Sequence, residues 1–191
     1  MDIFNRLKAL KNLGHSVSLI AYVFSEPTEE EFSPLRELCK EIFVVPMRRK
    51  NILKMFSCKP YFIANRENFP FLSNVLPKLV KRSFDYIISE SHNVLTASLF
   101  IKQKLNIPSL ALRVHNNEPC FMKSLAKTSP FFSIPHLFFS LEAWKYYFFE
   151  KKMLKRLSQE DFLLHISYDE CVDYRKRFPS LSHDFLPAAV D

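Results

Sequence analysis

The segment Val17-Ser18-Leu19-Ile20-Ala21-Tyr22-Val23-Phe24 is a short, nearly continuous apolar run, the pattern of a strand buried on both faces. A helix precedes it over 3–13: Ile3, Leu7 and Leu10 recur at helical spacing, and Gly14 stands where a left-handed residue ends a helix. A second helix is expected over 29–40, then a strand at Ile42-Phe43-Val44-Val45 that Pro46 stops. The alternation continues. A helix over 69–82, weakened by Pro70 and Pro77, leads to a strand at 84–89, and a helix over 91–105 leads to a strand at 109–114. A long helical stretch within 117–158 is followed by a last clear strand at 162–167. Such alternation implies right-handed βαβ crossovers and an α/β fold: a Rossmann-like, doubly wound, mostly parallel sheet with helices on both faces. No repeat, low-complexity tract or linker divides the chain, so 1–191 reads as a single domain.

Composition excludes several functions. The 191 residues are 48% hydrophobic and contain 20 Phe but one Gly, so no glycine-rich phosphate loop can be built. The charge of +7 favours anionic company without choosing among nucleic acid, acidic lipid and phosphorylated small molecules. No RNA- or DNA-binding signature accompanies the basic runs Arg48-Arg49-Lys50 and Lys78 with Lys81-Arg82, so no nucleic-acid role is expected. Cys39, Cys58, Cys120 and Cys171 are scattered, with no apolar leader and no membrane-spanning run, which together point to a reducing, cytoplasmic setting.

Ligands of open α/β sheets bind beyond the carboxyl ends of the strands. Three polar clusters fall on that edge: Ser89-Glu90-Ser91-His92-Asn93, Arg113-Val114-His115-Asn116-Asn117-Glu118 and Ser167-Tyr168-Asp169-Glu170, with Ser25 and Glu26 after the first strand. Ser89, Ser167 and Asn116 are also candidate helix N-caps, and His165, inside an apolar strand, reads as a hydrogen-bonded core residue. Glu90 with His92, and His115 with Glu118, match no standard zinc spacing, and no metal is expected. His115, Asn116 and Glu118 exceed what capping requires and form the strongest functional cluster.

Residues 131–157 are rich in aromatics and then in lysines. Leu137, Leu141, Trp144 and Phe148 share one helical face, which becomes Lys151, Lys152 and Lys155, while Met153, Leu154 and Leu157 point the other way. The apolar stripe thus changes sides near Glu150. Packing between the domain's own layers accounts for such a change; the alternative is contact of Phe131 to Phe139 with a membrane or partner.

Several stretches, in order, carry a family resemblance: Arg6-Leu7-Lys8-Ala9-Leu10-Lys11-Asn12-Leu13-Gly14-His15, Phe84-Asp85-Tyr86-Ile87-Ile88-Ser89-Glu90, Arg113-Val114-His115-Asn116-Asn117-Glu118, His165-Ile166-Ser167-Tyr168-Asp169-Glu170 and Leu186-Pro187-Ala188-Ala189-Val190-Asp191. The chain resembles the N-terminal half of a GT-B glycosyltransferase of the GT4 (glycosyl transferases group 1) family, the third stretch resembling an R-V-H-N-x-E signature of some bacterial members. The resemblance implies transfer of a sugar from a nucleotide-sugar donor to a saccharide or lipid-linked acceptor, in surface polysaccharide synthesis, with no cofactor or metal and with retention of configuration. His115 matches the position that faces the donor sugar, and Glu90, His92, Arg113, Asn116, Glu118, Ser167 and Glu170 would line the substrate site. The chain opens inside a helix, where such a domain opens with a strand, and ends on a segment read as a strand running into a connection. The expectation is therefore a piece of a larger protein, lacking the first strand and the C-terminal donor-binding domain, and inactive alone. Peripheral contact with the inner membrane face belongs to the same expectation; a metal-assisted α/β hydrolase built on Glu90, His92, His115 and Glu118, and a non-catalytic interaction module, are the competing ones.

Overall fold

The computed structural model describes residues 2–47 and 51–188; the basic run at 48–50 and the terminal 189–191 lie outside them. The elements are α1 (Asp2–Asn12), β1 (Ser18–Val23), α2 (Glu29–Leu38), β2 (Glu41–Pro46), α3 (Tyr61–Arg66), α4 (Phe69–Leu79), β3 (Tyr86–Ser89), α5 (Leu95–Leu105), β4 (Ser109–Val114), α6 (Glu118–Thr128), α7 (Ile134–Leu154), β5 (Phe162–His165), α8 (Tyr168–Arg177) and β6 (Ser182–Phe185). Local chemistry sets most boundaries. Gly14, at φ 84°, closes α1: the Gly14 N–H reaches the Lys11 carbonyl and the His15 N–H the Leu10 carbonyl. Thr28 and Glu31 form a reciprocal capping box on α2, and Pro70, in the first turn of α4, starts that helix instead of weakening it.

The strands form two parallel sheets, β1-β2 and β3-β4-β5-β6. Among the described residues β1 pairs only with β2, and the edge of β3 away from β4 is likewise unpaired. The sheets nevertheless share a core. Ile20 and Tyr22 of β1 and Ile87 of β3 pack on one buried cluster of Val45, Leu72, Ala97, Ile101 and Ile107. One strand inserted between β1 and β3 would join them into seven strands in the doubly wound order 3-2-1-4-5-6, extended by a seventh at β6. The open edge also explains a difference from the sequence reading: β1 is half-buried along its whole length, not buried on both faces. The main core lies around β4, whose Leu110, Leu112 and Val114 are inaccessible and pack with Leu163, Tyr146, Met153 and Tyr174. Each such side chain, fully buried, contributes about 1.5–3 kcal/mol.

The helical stretch read within 117–158 is two helices, α6 and α7, joined by a turn at 129–133. A short 3₁₀ segment at Ile52–Phe56 and helix α3 fill a stretch that the sequence reading left without structure, and β6 occupies 182–185, ahead of the segment read as a strand from Phe185. The side change along α7 holds, with Met153, Leu154 and Leu157 buried, but the face bearing Leu137, Leu141, Trp144 and Phe148 is exposed, so the expected packing between layers does not occur there.

Candidate functional site

The parallel sheet brings the exits of β3, β4 and β5 side by side, and with them Glu90, His115 and Glu170. His115 Nε2 stands 3.6 Å from Glu90 Oε2, both side chains about one-third exposed (32% and 31%). From α1, the Arg6 guanidinium clamps the same carboxylate with two hydrogen bonds of 2.7 Å. Burial pushes the Glu90 carboxyl up, but the neighbouring His115 and the hydrogen-bonded, charged Arg6 guanidinium outweigh it and hold the group below its usual value. The result is an imidazole beside an ionised carboxylate at a strand exit.

The N-termini of α6 and α8 close the other side. The Asn117 N–H donates to Glu170 Oε1 at 2.7 Å, tying the two helix starts together, and Ser167 caps α8 by accepting the Glu170 N–H. The caps are near the expected residues but not all on them: Asn117 rather than Asn116 caps α6, and Ser91 rather than Ser89 caps the 3₁₀ turn after β3. Asn116 is left exposed beside His115. Glu118, in the first turn of α6, is buried; burial together with the Glu150 and Glu170 charges raises its pKa, against the pull of His115 and Arg66.

Two of the sequence candidates lie behind the rim. His92 is buried, 3.5 Å from Glu150 Oε1, and burial followed by the charges of Arg177 and His115 lowers its pKa to about 4. Glu150 in turn accepts from Tyr174 and Arg177. Arg113 is inaccessible within β4 and donates to the Pro187 carbonyl at 3.2 Å. His165 is the core residue its context suggested, inaccessible and 3.1 Å from His183 Nδ1. With His92 turned inward, Glu90, His92, His115 and Glu118 do not converge, and among the described residues no group of three His, Cys, Asp or Glu side chains is disposed to hold a metal. Sequence reading missed Arg6, whose partner Glu90 is 84 residues away, and the supports Glu150, Tyr174 and Arg177. Only the tertiary fold brings these together. Beside the rim, a hollow of about 460 Å³ lies beyond β1 and β2, lined by Ser25, Glu26, Phe32 and Arg36 among others.

The chain has the doubly wound α/β class of fold, in which ligands bind beyond the carboxyl ends of the strands. Within it, the chain superposes over 99% of its length on 49% of UGT2 of Phytolacca americana, a GT-B glycosyltransferase solved with UDP-2-fluoro-glucose and pterostilbene, at a TM-score of 0.57 and 13% identity. In sequence it is 29% identical over 175 residues to an uncharacterised 44.6 kDa protein in the cps region of Klebsiella pneumoniae, covering 90% of this chain and 42% of that protein. The chain thus spans less than half the length of either. No protein-family model matches it.

Proposed function

We propose that the chain is the acceptor-side half of a GT4-type glycosyltransferase acting in surface polysaccharide synthesis, which moves a sugar from a nucleotide-sugar donor to a saccharide or lipid-linked acceptor when a donor-binding domain completes the cleft. The observation that carries this reading is the His115–Glu90 pair at the exits of adjacent strands. The fold likeness to one half of a glycosyltransferase and the capsule-region relative support it. In this reading His115 faces the donor sugar and hydrogen-bonds one of its hydroxyls. Glu90 orients the imidazole, and Arg6 keeps Glu90 ionised. Asn116, Glu118, Ser167 and Glu170 border the acceptor, and His92 and Arg113 hold the wall behind them. The rate comes mainly from aligning donor and acceptor, an effect that needs both walls of a cleft. The reaction needs neither cofactor nor metal.

The test is nucleoside diphosphate release from a panel of nucleotide sugars with capsular oligosaccharides as acceptors. Residues 1–191 alone should turn over none of them. Joined to the remainder of the Klebsiella pneumoniae relative, they should gain activity that His115→Ala removes while the fold, followed by circular dichroism, persists. Turnover by 1–191 alone would overturn the division of labour, and full activity in the His115→Ala fusion would overturn the role of the rim.

A further inference from the structure

The inward side of α7 packs Phe139, Ala143 and Tyr146 into the core but also buries two charges, while its outward side is apolar. Glu142 and Lys145 face the interior at 0% and 3% exposure, 3.0 Å apart. Glu142 also accepts the Tyr61 N–H at 2.7 Å, and Lys145 donates to the Met55 carbonyl. On the opposite side Leu137, Leu141, Trp144 and Phe148 stand 57%, 43%, 60% and 50% exposed, and Ile134 80%. From Ile134 to Phe148 this stripe runs about 21 Å at the helical rise. A surface helix ordinarily turns its apolar face inward, and a contiguous exposed apolar stripe of this length marks a surface that something covers.

The stripe continues into the turn between α6 and α7. Phe131 and Phe132 are 74% and 79% exposed with ring centroids 4.4 Å apart. Phe132 is held at φ 64°, a left-handed conformation unfavourable for a bulky side chain. The fold therefore keeps two aromatic rings in water at a backbone cost, without burying them.

Charge identifies what covers this face. The acids of α7, Glu142 and Glu150, are both buried, whereas its exposed charges, Lys151 and Lys152, are cationic and are followed by exposed Lys155 and Arg156. Lys151 and Lys155 extend the same face that carries Trp144 and Phe148. Apolar and aromatic residues in line with cations, with no exposed acid on the helix, match the acyl–headgroup boundary of an anionic bilayer, where indole and phenol rings are favoured and lysines meet phosphates. We propose that the α6–α7 turn and the exposed face of α7 dock on an anionic phospholipid bilayer. The helix lies along the interface: among the described residues none is long and apolar enough to cross a membrane. This inference does not depend on the sugar-transfer reading.

Trp144 is the chain's single tryptophan and sits in the stripe, so its emission reports docking directly. Residues 1–191 are mixed with vesicles of phosphatidylcholine alone or of equal phosphatidylglycerol and phosphatidylcholine, and both flotation and Trp144 emission are followed. The expected result is flotation and a blue shift with the anionic vesicles only. Phe131→Ser with Phe132→Ser should weaken partitioning about tenfold or more. Lys151→Gln with Lys152→Gln should weaken it about fivefold per charge, with urea midpoints unchanged in both variants. Absence of flotation with anionic vesicles, equal binding to both vesicles, or indifference to both variants would overturn the proposal. A concentration-dependent blue shift without lipid, with dimers in sedimentation, would assign the face to a second copy and overturn it too.

Discussion

The orientation of α7 makes a prediction that inverts the usual ranking of charged and apolar substitutions. Glu142 is inaccessible, and its carboxylate holds the Lys145 ammonium at 3.0 Å and the Tyr61 N–H at 2.7 Å. Glu142→Ala leaves that ammonium buried with only the Met55 carbonyl, and removing one partner of a buried pair costs about 3–5 kcal/mol. Leu137 is the opposite case. Full burial of a leucine is worth about 1.5–3 kcal/mol, and with 57% of Leu137 still in water its truncation forfeits about 1 kcal/mol at most. A third variant, Glu142→Leu with Lys145→Met, removes both charges and should recover much of the single-variant loss, because no charge is then stranded. Urea unfolding of all three, followed by circular dichroism, measures the ranking. A Leu137→Ala loss larger than that of Glu142→Ala would mean that α7 faces the other way, and would refute both the buried pair and the exposed stripe.

Acid should destabilise the fold through its buried histidines. His92 and His165 titrate near 4 in the folded chain against an ordinary 6.5, each chiefly because burial disfavours its charge. The stability they contribute is complete above 6.5 and is lost as pH falls toward 4, by up to about 1.4 kcal/mol per pH unit for each. Glu118 and Glu150, raised by burial, act in the opposite sense, so His165→Asn should flatten the pH profile of urea unfolding by about one proton's worth of slope; an unchanged slope would count against the assignment. Arg6→Met should let the Glu90 carboxyl rise toward its usual 4.5, read by carboxyl-carbon NMR titration, and a titration that did not move would remove Arg6 from the site. Amide exchange should be slowest in β4, paired on both sides, while alternate amides on the unpaired edges of β1 and β3 exchange much faster; uniform protection across these strands would contradict the separated sheets.

What was legible in the sequence depended on how local its cause was. Gly14 and the apolar runs of β1 and β4 act within a few residues, and the elements they define fall within two or so positions of where the pattern puts them. The rim was legible too, because a parallel sheet places every strand exit on one edge, so polar clusters after three strands must meet. What failed was direction. A polar residue past a strand can turn outward, as His115 does, or inward, as His92 does after the 3₁₀ turn capped by Ser91, and nothing in the local spelling separates the two. The face of α7 was misjudged for a related reason. Amphipathic reasoning assumes that leucine and tryptophan go inside, but the Tyr61 N–H and Met55 carbonyl that hold Glu142 and Lys145 lie about 80–90 residues away in the chain.

Helix α7 ties the rim to the stripe, and this sets a geometric condition on the substrate. On one side its Tyr146 hydroxyl donates to Asn93 at 2.7 Å and Glu150 faces His92, both just past the exit of β3. On the other side it carries Trp144 and Phe148. An α-helix with its side chains is about 10–12 Å across, so a bilayer against the stripe comes within roughly that distance of the supports of the rim. If the proposed sugar transfer holds, an acceptor anchored in the same bilayer would reach His115 without leaving the membrane, whereas a soluble acceptor would gain nothing from docking. In the joined enzyme, Phe131→Ser with Phe132→Ser should therefore lower turnover of a vesicle-borne, lipid-linked acceptor and leave turnover of its water-soluble oligosaccharide unchanged. Equal losses on both acceptors would show that the aromatic turn serves the active site or the fold, and would break the link between docking and transfer.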